Sequence, residues 1–458
     1  MNNTKDMTQG TPWKVIILFA IPIFLSQLFQ QLYNSVDSLI VGNFLGKESL
    51  AAVSSSGNLI HLFTSFFTGT ALGGGVVIAR YFGSKRYDDM NKAIHTSIAV
   101  GIVCSILVTV IGVLFAPTVL KWMGTTEDVL PKSIEYFRYY FLGASGMIMY
   151  NIFNGILQAV GNSKRPLMYL VISSSINIIL DLLFIGVFKF DVWAAALATS
   201  ISQITSAFLC LLFLMRKGTV YQVNIKKIRI HSAVLKLILK YGLPSGIQNS
   251  VIGFANVIIQ SNINSFGTDA MAGCGSYAKL EGFAFLPITC FTMAISTFVG
   301  QNLGAKEYER AKLGSRFGIF SSLILAEIIG TIQYIFAPSL IALFNDDPGV
   351  VAIGVLQSRT ISLFYFLLAF SHCVASVCRG AGKAFVPMLI MLIVWCGIRI
   401  AYITIIMSYI HEIQFVFWAY PITWSISSVI YFIYYFCSDW VHGFEKIKRN
   451  GNIALKGA

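Results

Sequence analysis

The sequence predicts an all-α polytopic membrane protein with twelve transmembrane helices in two pseudo-symmetric six-helix bundles. Its composition, its hydropathy pattern and an internal repeat each support this fold class. Of the 458 residues, 56% are hydrophobic and 12% are charged, and the mean hydropathy is +0.72. About 20 consecutive apolar residues are enough for one helix to span a bilayer. The apolar stretches do not alternate with polar residues, which excludes a transmembrane β-barrel.

The hydropathy pattern divides the chain into apolar spans that are separated by loops carrying most of the charged residues. Each span is long enough to cross the hydrocarbon core as a single helix. The predicted spans are 14–42, 50–78, 93–117, 134–158, 166–188, 192–215, 236–262, 271–300, 313–338, 353–377, 385–409 and 414–437.

The net charge of +13 is distributed as in a membrane protein. Most of the Lys and Arg residues lie in the two tails and in every second loop, whereas the other loops are rich in Asp and Glu. This asymmetry follows the positive-inside rule and places both termini in the cytoplasm, with the chain in the cell membrane. The same rule accounts for the excess of basic residues, so we expect no nucleic-acid partner. The basic loops hold Arg80, Lys85, Arg86, Lys92, Lys164, Arg165, Arg216, Lys217, Lys226, Lys227, Arg229, Lys306, Arg310, Lys312, Arg379 and Lys383.

The eight cysteines lie in or beside apolar spans, and no two form a C-x-x-C pair. This spacing indicates neither a disulfide framework nor a zinc site, so we interpret them as small buried hydrophobic residues. We expect no cofactor.

Six residues of the first half recur in the second half at the same separation of 221 positions. The repeat predicts two six-helix halves, 1–218 and 236–458, joined by a cytoplasmic loop at 219–235. Because six is an even number, both halves enter the membrane from the same face. The recurring residues are Gly46, Gly83, Lys85, Tyr87, Gly161 and Pro166, which correspond to Gly267, Gly304, Lys306, Tyr308, Gly382 and Pro387.

The first span carries a carboxylate, Asp37, far from either polar end. A charged side chain at the bilayer centre costs about 2.5–3.5 kcal/mol on insertion scales, so it is seldom kept for packing alone. Gln30, Tyr33 and Asp37 share one helical face, which predicts a polar stripe lining an internal cavity. Pro22 removes a backbone donor within the same helix, and we predict that it acts as a hinge.

The fifth span contributes Asn177 and Asp181, which lie four residues apart and therefore on one face. The sixth span contributes Thr199 among small residues that allow close helix approach. Together with Asp37 they offer two carboxylates, an amide and a hydroxyl, which suit a proton or a hard cation such as Na⁺. Two alternatives stay open: Asp181 pairs only with a buried amide, or the two aspartates never meet.

Two further features carry less functional information. Glu281 in the eighth span has Lys279 two residues away and could also meet Arg399, so an interhelical ion pair is one interpretation of it. The glycines at 73–75 are not followed by G-K-[ST] and are not preceded by a strand, which excludes a phosphate-binding loop. Close helix packing or a flexible helix end explains them better.

The order of these motifs resembles the multidrug and toxic compound extrusion (MATE) family over essentially the whole chain. The motifs are P-x14-D followed by VGNFLG in the first helix, and the paired G-[SA]-K-x-Y loops. The DinF-like prokaryotic branch is the most similar. The resemblance implies that the coupling ion, Na⁺ or H⁺, binds at Asp37, Asn177, Asp181 and Thr199. It also implies a substrate cavity near Gln30, Tyr33, Tyr136 and Asn154.

The chain differs from the NorM-like branch, which has acidic residues in the seventh and tenth helices. Here the seventh helix has Gln248 and no acid, so we expect coupling in the N-terminal half. The predicted function is cation-coupled antiport that exports amphiphilic, cationic organic compounds, performed by a monomer. A lipid-linked oligosaccharide flippase is the alternative. An intramembrane aspartyl protease is excluded because neither Asp37 nor Asp181 lies in a Y-D or G-x-G-D motif.

Overall fold

The computed structural model describes residues 6–122 and 129–442; the basic C-terminal tail lies outside this range. Within it the chain is helical and contains no β-strand. Nine of the described helical stretches are long and apolar enough to cross a membrane, as expected of a multi-pass protein. The α-helices are α1 Pro12–Gly83, α2 Tyr87–Trp122, α3 Leu130–Leu142, α4 Ala144–Ala159, α5 Lys164–Asp181, α6 Trp193–Leu214, α7 Ser232–Asn264, α8 Thr268–Gly304, α9 Tyr308–Ala342, α10 Pro348–Ile361, α11 Tyr365–Gly380, α12 Phe385–Met391, α13 Arg399–Tyr409 and α14 Ile413–Cys437.

These helices match the twelve predicted spans when short interruptions are joined. Helices α3 and α4 form the fourth span, α10 and α11 the tenth, and α12 and α13 the eleventh. One expectation was wrong: no loop separates the first two spans, because α1 runs without a break through 43–49. That stretch, NFLGKES, has no proline to remove a backbone donor, so helical hydrogen bonding continues through it.

The sequence repeat is confirmed by the geometry of the loops that carry it. Lys85 and Lys306 both adopt a left-handed backbone conformation, with φ of 56° and 65°. Gly161 and Gly382 do the same, with φ of 80° and 74°. In each loop the following residue donates its backbone N–H to the carbonyl five positions earlier, as in a Schellman motif that ends a helix.

The chain divides into two compact units, one containing Ile21–Gly246 and the other Met7–Ala20 and the chain from Ile247 onward. Both divisions fall close to a proline inside a helix, Pro22 in α1 and Pro244 in α7. The predicted boundaries at 218 and 236 stay a prediction.

In the first unit, α6 packs against α3, α4 and α5, and α2 packs against α3 and α4. In the second unit, α8 and α9 pack against each other and against both α10 and α11, and α14 packs against α10, α11 and α13. The N-terminal segment belongs to this second core. Met7 is fully buried, and its carbonyl accepts hydrogen bonds from Asn302 (3.2 Å) and Arg310 (3.1 Å).

Two pairs of glycines bring α1 and α7 into backbone contact within the first unit. Gly69 and Gly73 are four residues apart on α1, and Gly242 and Gly246 are four apart on α7. A Cβ atom on Gly69 would lie 2.6 Å from the Gly246 Cα, and one on Gly73 would clash with the Gly242 backbone. This is a G-x-x-x-G crossing, in which small residues let two backbones approach closely. It explains Gly73 as a packing residue.

The fifth helix of each half contains a short π-helical segment, Leu182–Val187 in the first half and Leu392–Ile398 in the second. The first segment follows Asp181 directly, and the second directly precedes Arg399. Single π turns inside α-helices are rare and are frequent at functional sites. Both fifth helices therefore place a charged residue where the helical hydrogen bonding changes.

The inter-half loop is fastened to α2 by two histidines. The Asn224 N–H donates to Nε2 of His95 (3.1 Å), whose Nδ1 lies 2.7 Å from the Asn91 carbonyl. This ring is therefore neutral and carries its proton on Nδ1. His231 Nδ1 lies 3.2 Å from the Thr96 hydroxyl, and the Arg229 Nε–H donates to its Nε2 (3.0 Å).

We expect these hydrogen bonds between the inter-half loop and α2 to weaken in mild acid. Burial, and then the nearby charges of Arg229 and Lys92, hold the pKa of His231 below its ordinary value of 6.5. A histidine whose pKa is lower in the folded state than in the unfolded chain contributes its full stabilisation above the unfolded-state pKa. Below that pKa its contribution to the stability of the folded state falls progressively. The rate of hydrogen–deuterium exchange in 219–235, corrected for its intrinsic pH dependence, should rise as the pH falls from 7.5 to 5.5. His231→Gln should weaken that response, and equal protection at both pH values would contradict the prediction.

Candidate cation site

Helices α1, α5 and α6 of the first unit supply the predicted ion-binding side chains. Asp181 is the last residue of α5, and Asn177 lies one turn before it. The Asn177 amide donates to the Thr199 hydroxyl on α6 at 3.4 Å. Asn177 and Asp181 are fully buried, and Thr199 is 9% exposed. The amide orientation leaves the Asn177 carbonyl oxygen facing away from Thr199.

Several oxygen atoms of this cluster have no hydrogen-bond partner among the described residues. They are one carboxylate oxygen of Asp37, both oxygens of Asp181 and the amide oxygen of Asn177. A buried carboxylate without a partner is costly, because it has lost its water and gained nothing in return. The cluster therefore requires a proton or a cation to be satisfied.

Asp37 and Asp181 face each other closely enough to interact directly. Two interacting carboxyl groups in a low-dielectric site cannot both be ionised without a large energetic cost. They titrate as a pair that shares a proton or holds a cation between them. Of the two alternatives that the sequence left open, the aspartates do meet, and no amide donates to Asp181 among the described side chains.

Tyr33 extends the cluster along α1. It is 9% exposed and accepts a hydrogen bond from the Gln203 amide (3.5 Å) on α6. It also contacts Gln30 and interacts electrostatically with Asp37, so the predicted polar stripe of α1 is present as one connected face. Gln203, whose amide oxygen has no described partner, was missed by sequence reasoning. It lies one turn after Thr199, and this i, i+4 spacing could have predicted it.

Two tyrosines of α3 stand beside the acids. Tyr136 and Tyr140 stack with their ring centroids 6.3 Å apart, and both interact electrostatically with Asp37. Aromatic faces next to carboxylates form a surface that attracts organic cations. Tyr139 differs: its ring packs on Trp193 at 5.1 Å.

Two other predicted residues have different surroundings. Asn154 accepts a hydrogen bond from Gln158 (2.9 Å) within α4, and this bond does not join it to the aspartates. Pro22 is buried, and its carbonyl accepts a hydrogen bond from the Ser26 hydroxyl (2.9 Å). A proline and a serine bonded to the carbonyl four residues back both favour helix bending. The hinge at Pro22 stays a prediction.

Comparison with known proteins identifies the family. A family model described as MatE matches residues 22–183 and 244–405, one segment in each half. The chain belongs to the MATE family. This MATE chain is thus a multi-pass membrane transporter protein whose two family segments coincide with its internal repeat.

Individual relatives match nearly the whole of this MATE chain. It is 26% identical over 440 residues to the probable multidrug resistance protein YoeA of Bacillus subtilis, covering 94% of this chain and 95% of that protein. It is 23% identical over 377 residues to the multidrug export protein MepA of Staphylococcus aureus, covering 82% and 81%. A MOP superfamily transporter from Pyrococcus furiosus has the same fold, with a TM-score of 0.89, 22% identity and coverage of 95% and 97%.

Proposed function

We propose that this MATE chain is an antiporter that exports amphiphilic, cationic organic compounds in exchange for Na⁺ or H⁺. The observation that carries the proposal is the pair of facing carboxyl groups, Asp37 and Asp181. One oxygen of Asp37 and both oxygens of Asp181 have no hydrogen-bond partner among the described residues. The names of the relatives from B. subtilis and S. aureus, a multidrug resistance protein and a multidrug export protein, support drug-like cargo. We place the protein in the cell membrane as a monomer with both termini in the cytoplasm.

The mechanism follows from competition for one charged site. While both aspartates are ionised, their negative charge attracts a cationic compound to the tyrosines beside them. Na⁺ or H⁺ entering from outside neutralises the pair and removes that attraction, so the cargo leaves. The coupling ion is bound by Asp37, Asp181, the Asn177 carbonyl oxygen and the Thr199 hydroxyl.

The same neutralisation would drive the conformational change. A ligand must prefer one state by about 5.5 kcal/mol to move a two-state equilibrium from 1:99 to 99:1. Removing the electrostatic repulsion between two facing carboxylates in a low-dielectric site could supply a large part of that energy. We place the movement at Pro22, whose missing backbone donor leaves α1 free to bend.

Transport in proteoliposomes tests this function. An inward Na⁺ gradient or an inward pH gradient, each imposed alone, should drive uphill ethidium extrusion, and the gradient that works identifies the coupling ion. Ethidium movement that ignores both gradients would contradict antiport. Turnover of a lipid-linked oligosaccharide in place of ethidium would instead support the flippase alternative, which the acidic character of the site disfavours.

A further inference from the structure

The second unit contains a buried chain of polar side chains that the proposed function does not use. Tyr277 and Glu281 lie one turn apart on α8, Tyr365 lies on α11, and Gln333 lies on α9. Tyr277 and Tyr365 are each 1% exposed, and Gln333 is 3% exposed. Three contacts link them in a line: Gln333 Oε1 to the Tyr365 hydroxyl (3.1 Å), Tyr365 to Tyr277 (2.9 Å), and Tyr277 to Glu281 Oε1 (3.1 Å).

The number of hydrogens that these three contacts require indicates the protonation state of Glu281. The Gln333 Nε2 donates to the Leu280 carbonyl (3.3 Å), so its Oε1 can only accept from Tyr365. Three oxygen–oxygen contacts need three hydrogens, and the two phenols supply two. The third can come only from a protonated Glu281, whose hydroxyl then donates to Tyr277. With Glu281 ionised, one of the three buried contacts has no hydrogen and is lost.

An opposing charge favours the ionised form. Arg399 on α13 is 2% exposed and donates from Nε (3.0 Å) and Nη2 (2.7 Å) to the Thr423 hydroxyl. Its guanidinium packs on Tyr420 (4.6 Å) and Trp395 (5.1 Å), which hold it in place. It interacts electrostatically with Glu281 without forming an ion pair within 4 Å among the described residues.

The groups that face Glu281 are therefore Tyr277 on its own helix, Tyr365, Arg399 and Tyr420. Lys279 is not among them: it is exposed and lies over the Phe344 ring at 5.7 Å. The ion pair of Glu281 with Lys279 or Arg399 that the sequence suggested does not form. The hydrogen-bonded line favours a protonated carboxyl, whereas the positive charge of Arg399 favours an ionised one, so the two interactions oppose each other.

We propose that Glu281 is a proton-binding site in the C-terminal half, separate from the aspartate pair. When the proton is bound, hydrogen bonds run from Glu281 through Tyr277 and Tyr365 to Gln333. When it leaves to water, Tyr277 turns its hydrogen toward the carboxylate and its bond to Tyr365 breaks. The exchange thus loosens the contact between α8 and α11 and leaves Arg399 facing a negative charge.

Infrared spectroscopy tests this site without any transport measurement. The full chain carrying Asp37→Asn and Asp181→Asn serves as the parent, so that the first-half acids do not contribute. Between pH 5 and 9 the parent should show a carboxylic-acid C=O band that is lost on raising the pH, and Glu281→Gln should remove it. Tyr277→Phe should shift the band to higher frequency, because the acid loses its hydrogen-bond partner.

Glu327→Gln is the matched control, since it makes the same substitution at a half-buried acid on α9 of the same half. It should leave the Glu281 band in place. A parent spectrum without that band at any pH, or a band unchanged by Glu281→Gln, would overturn the proposal. If Glu281→Gln fails to fold, the Tyr277→Phe variant decides, and an unshifted band in its spectrum would overturn the proposal. Because the parent lacks both aspartates, these outcomes are independent of whether the proposed antiport is correct.

Discussion

Replacing Asp37 by asparagine is expected to abolish ion-driven export, with a fall of at least about tenfold in uphill ethidium transport, equivalent to about 1.4 kcal/mol or more. The amide keeps the shape of the side chain but removes one of the two facing charges. Asp181 then has no carboxyl partner with which to share a proton or a cation. Asp181→Asn should have the same effect. Initial rates in proteoliposomes under the driving gradient measure both.

Asp88→Asn is the matched control, because it makes the same change at an exposed position of the same half. It should retain the parent rate. In the Asp37→Asn protein, addition of ethidium should no longer release the coupling ion. This measurement distinguishes a coupling defect from poor reconstitution. Unchanged gradient dependence in Asp37→Asn would refute the aspartate pair as the coupling site.

Gly73→Leu is expected to prevent stable packing of the first unit. The added side chain would meet the α7 backbone at Gly242, and backbone cannot move aside as a side chain can. Overpacking costs about 1–3 kcal/mol where side chains can adjust, so we expect at least the upper end of that range. Size-exclusion chromatography after graded heating should show a clear loss of monodisperse protein. Gly69→Leu at the other contact of the crossing should behave in the same way.

Gly275→Ala provides the opposite case within α8. A Cβ atom there meets nothing within 4 Å. Alanine is favoured over glycine inside a helix by about 0.5–1 kcal/mol, so this variant should be as stable as the parent or slightly more stable. If Gly73→Leu and Gly275→Ala had equal thermal stability, the importance of the G-x-x-x-G crossing would be disproved.

The sequence predicted the helices and the repeat well because both depend on local patterns. Hydropathy fixes where a helix can lie in a bilayer, and a common offset of 221 positions identifies duplicated loops before any packing is known. The aspartates were found for a related reason. A carboxylate inside an apolar stretch, such as Asp37, is conspicuous because its burial is so costly.

The sequence did not reveal features that depend on contacts between distant residues. The partners of Gly69 and Gly73 lie about 170 positions away in α7, and nothing local pairs these glycines. The spacing of Gln203 from Thr199 indicates a shared helical face, but nothing local shows that Gln203 contacts Tyr33 on α1. The continuity of α1 through 43–49 depends on the absence of a strong breaker, which is weak evidence in a sequence that also contains Gly46.

The π-helical segments bear on the history of the two halves. If a single ancestral unit had carried such a segment before duplication, the copies would stand 221 positions apart, like the loop glycines. Shifting Leu182–Val187 by that distance leads to 403–408, which is ordinary α-helix in α13. The second segment instead occupies Leu392–Ile398. The two irregular turns therefore lie at different positions of the repeat, and each half bends its fifth helix at a place of its own.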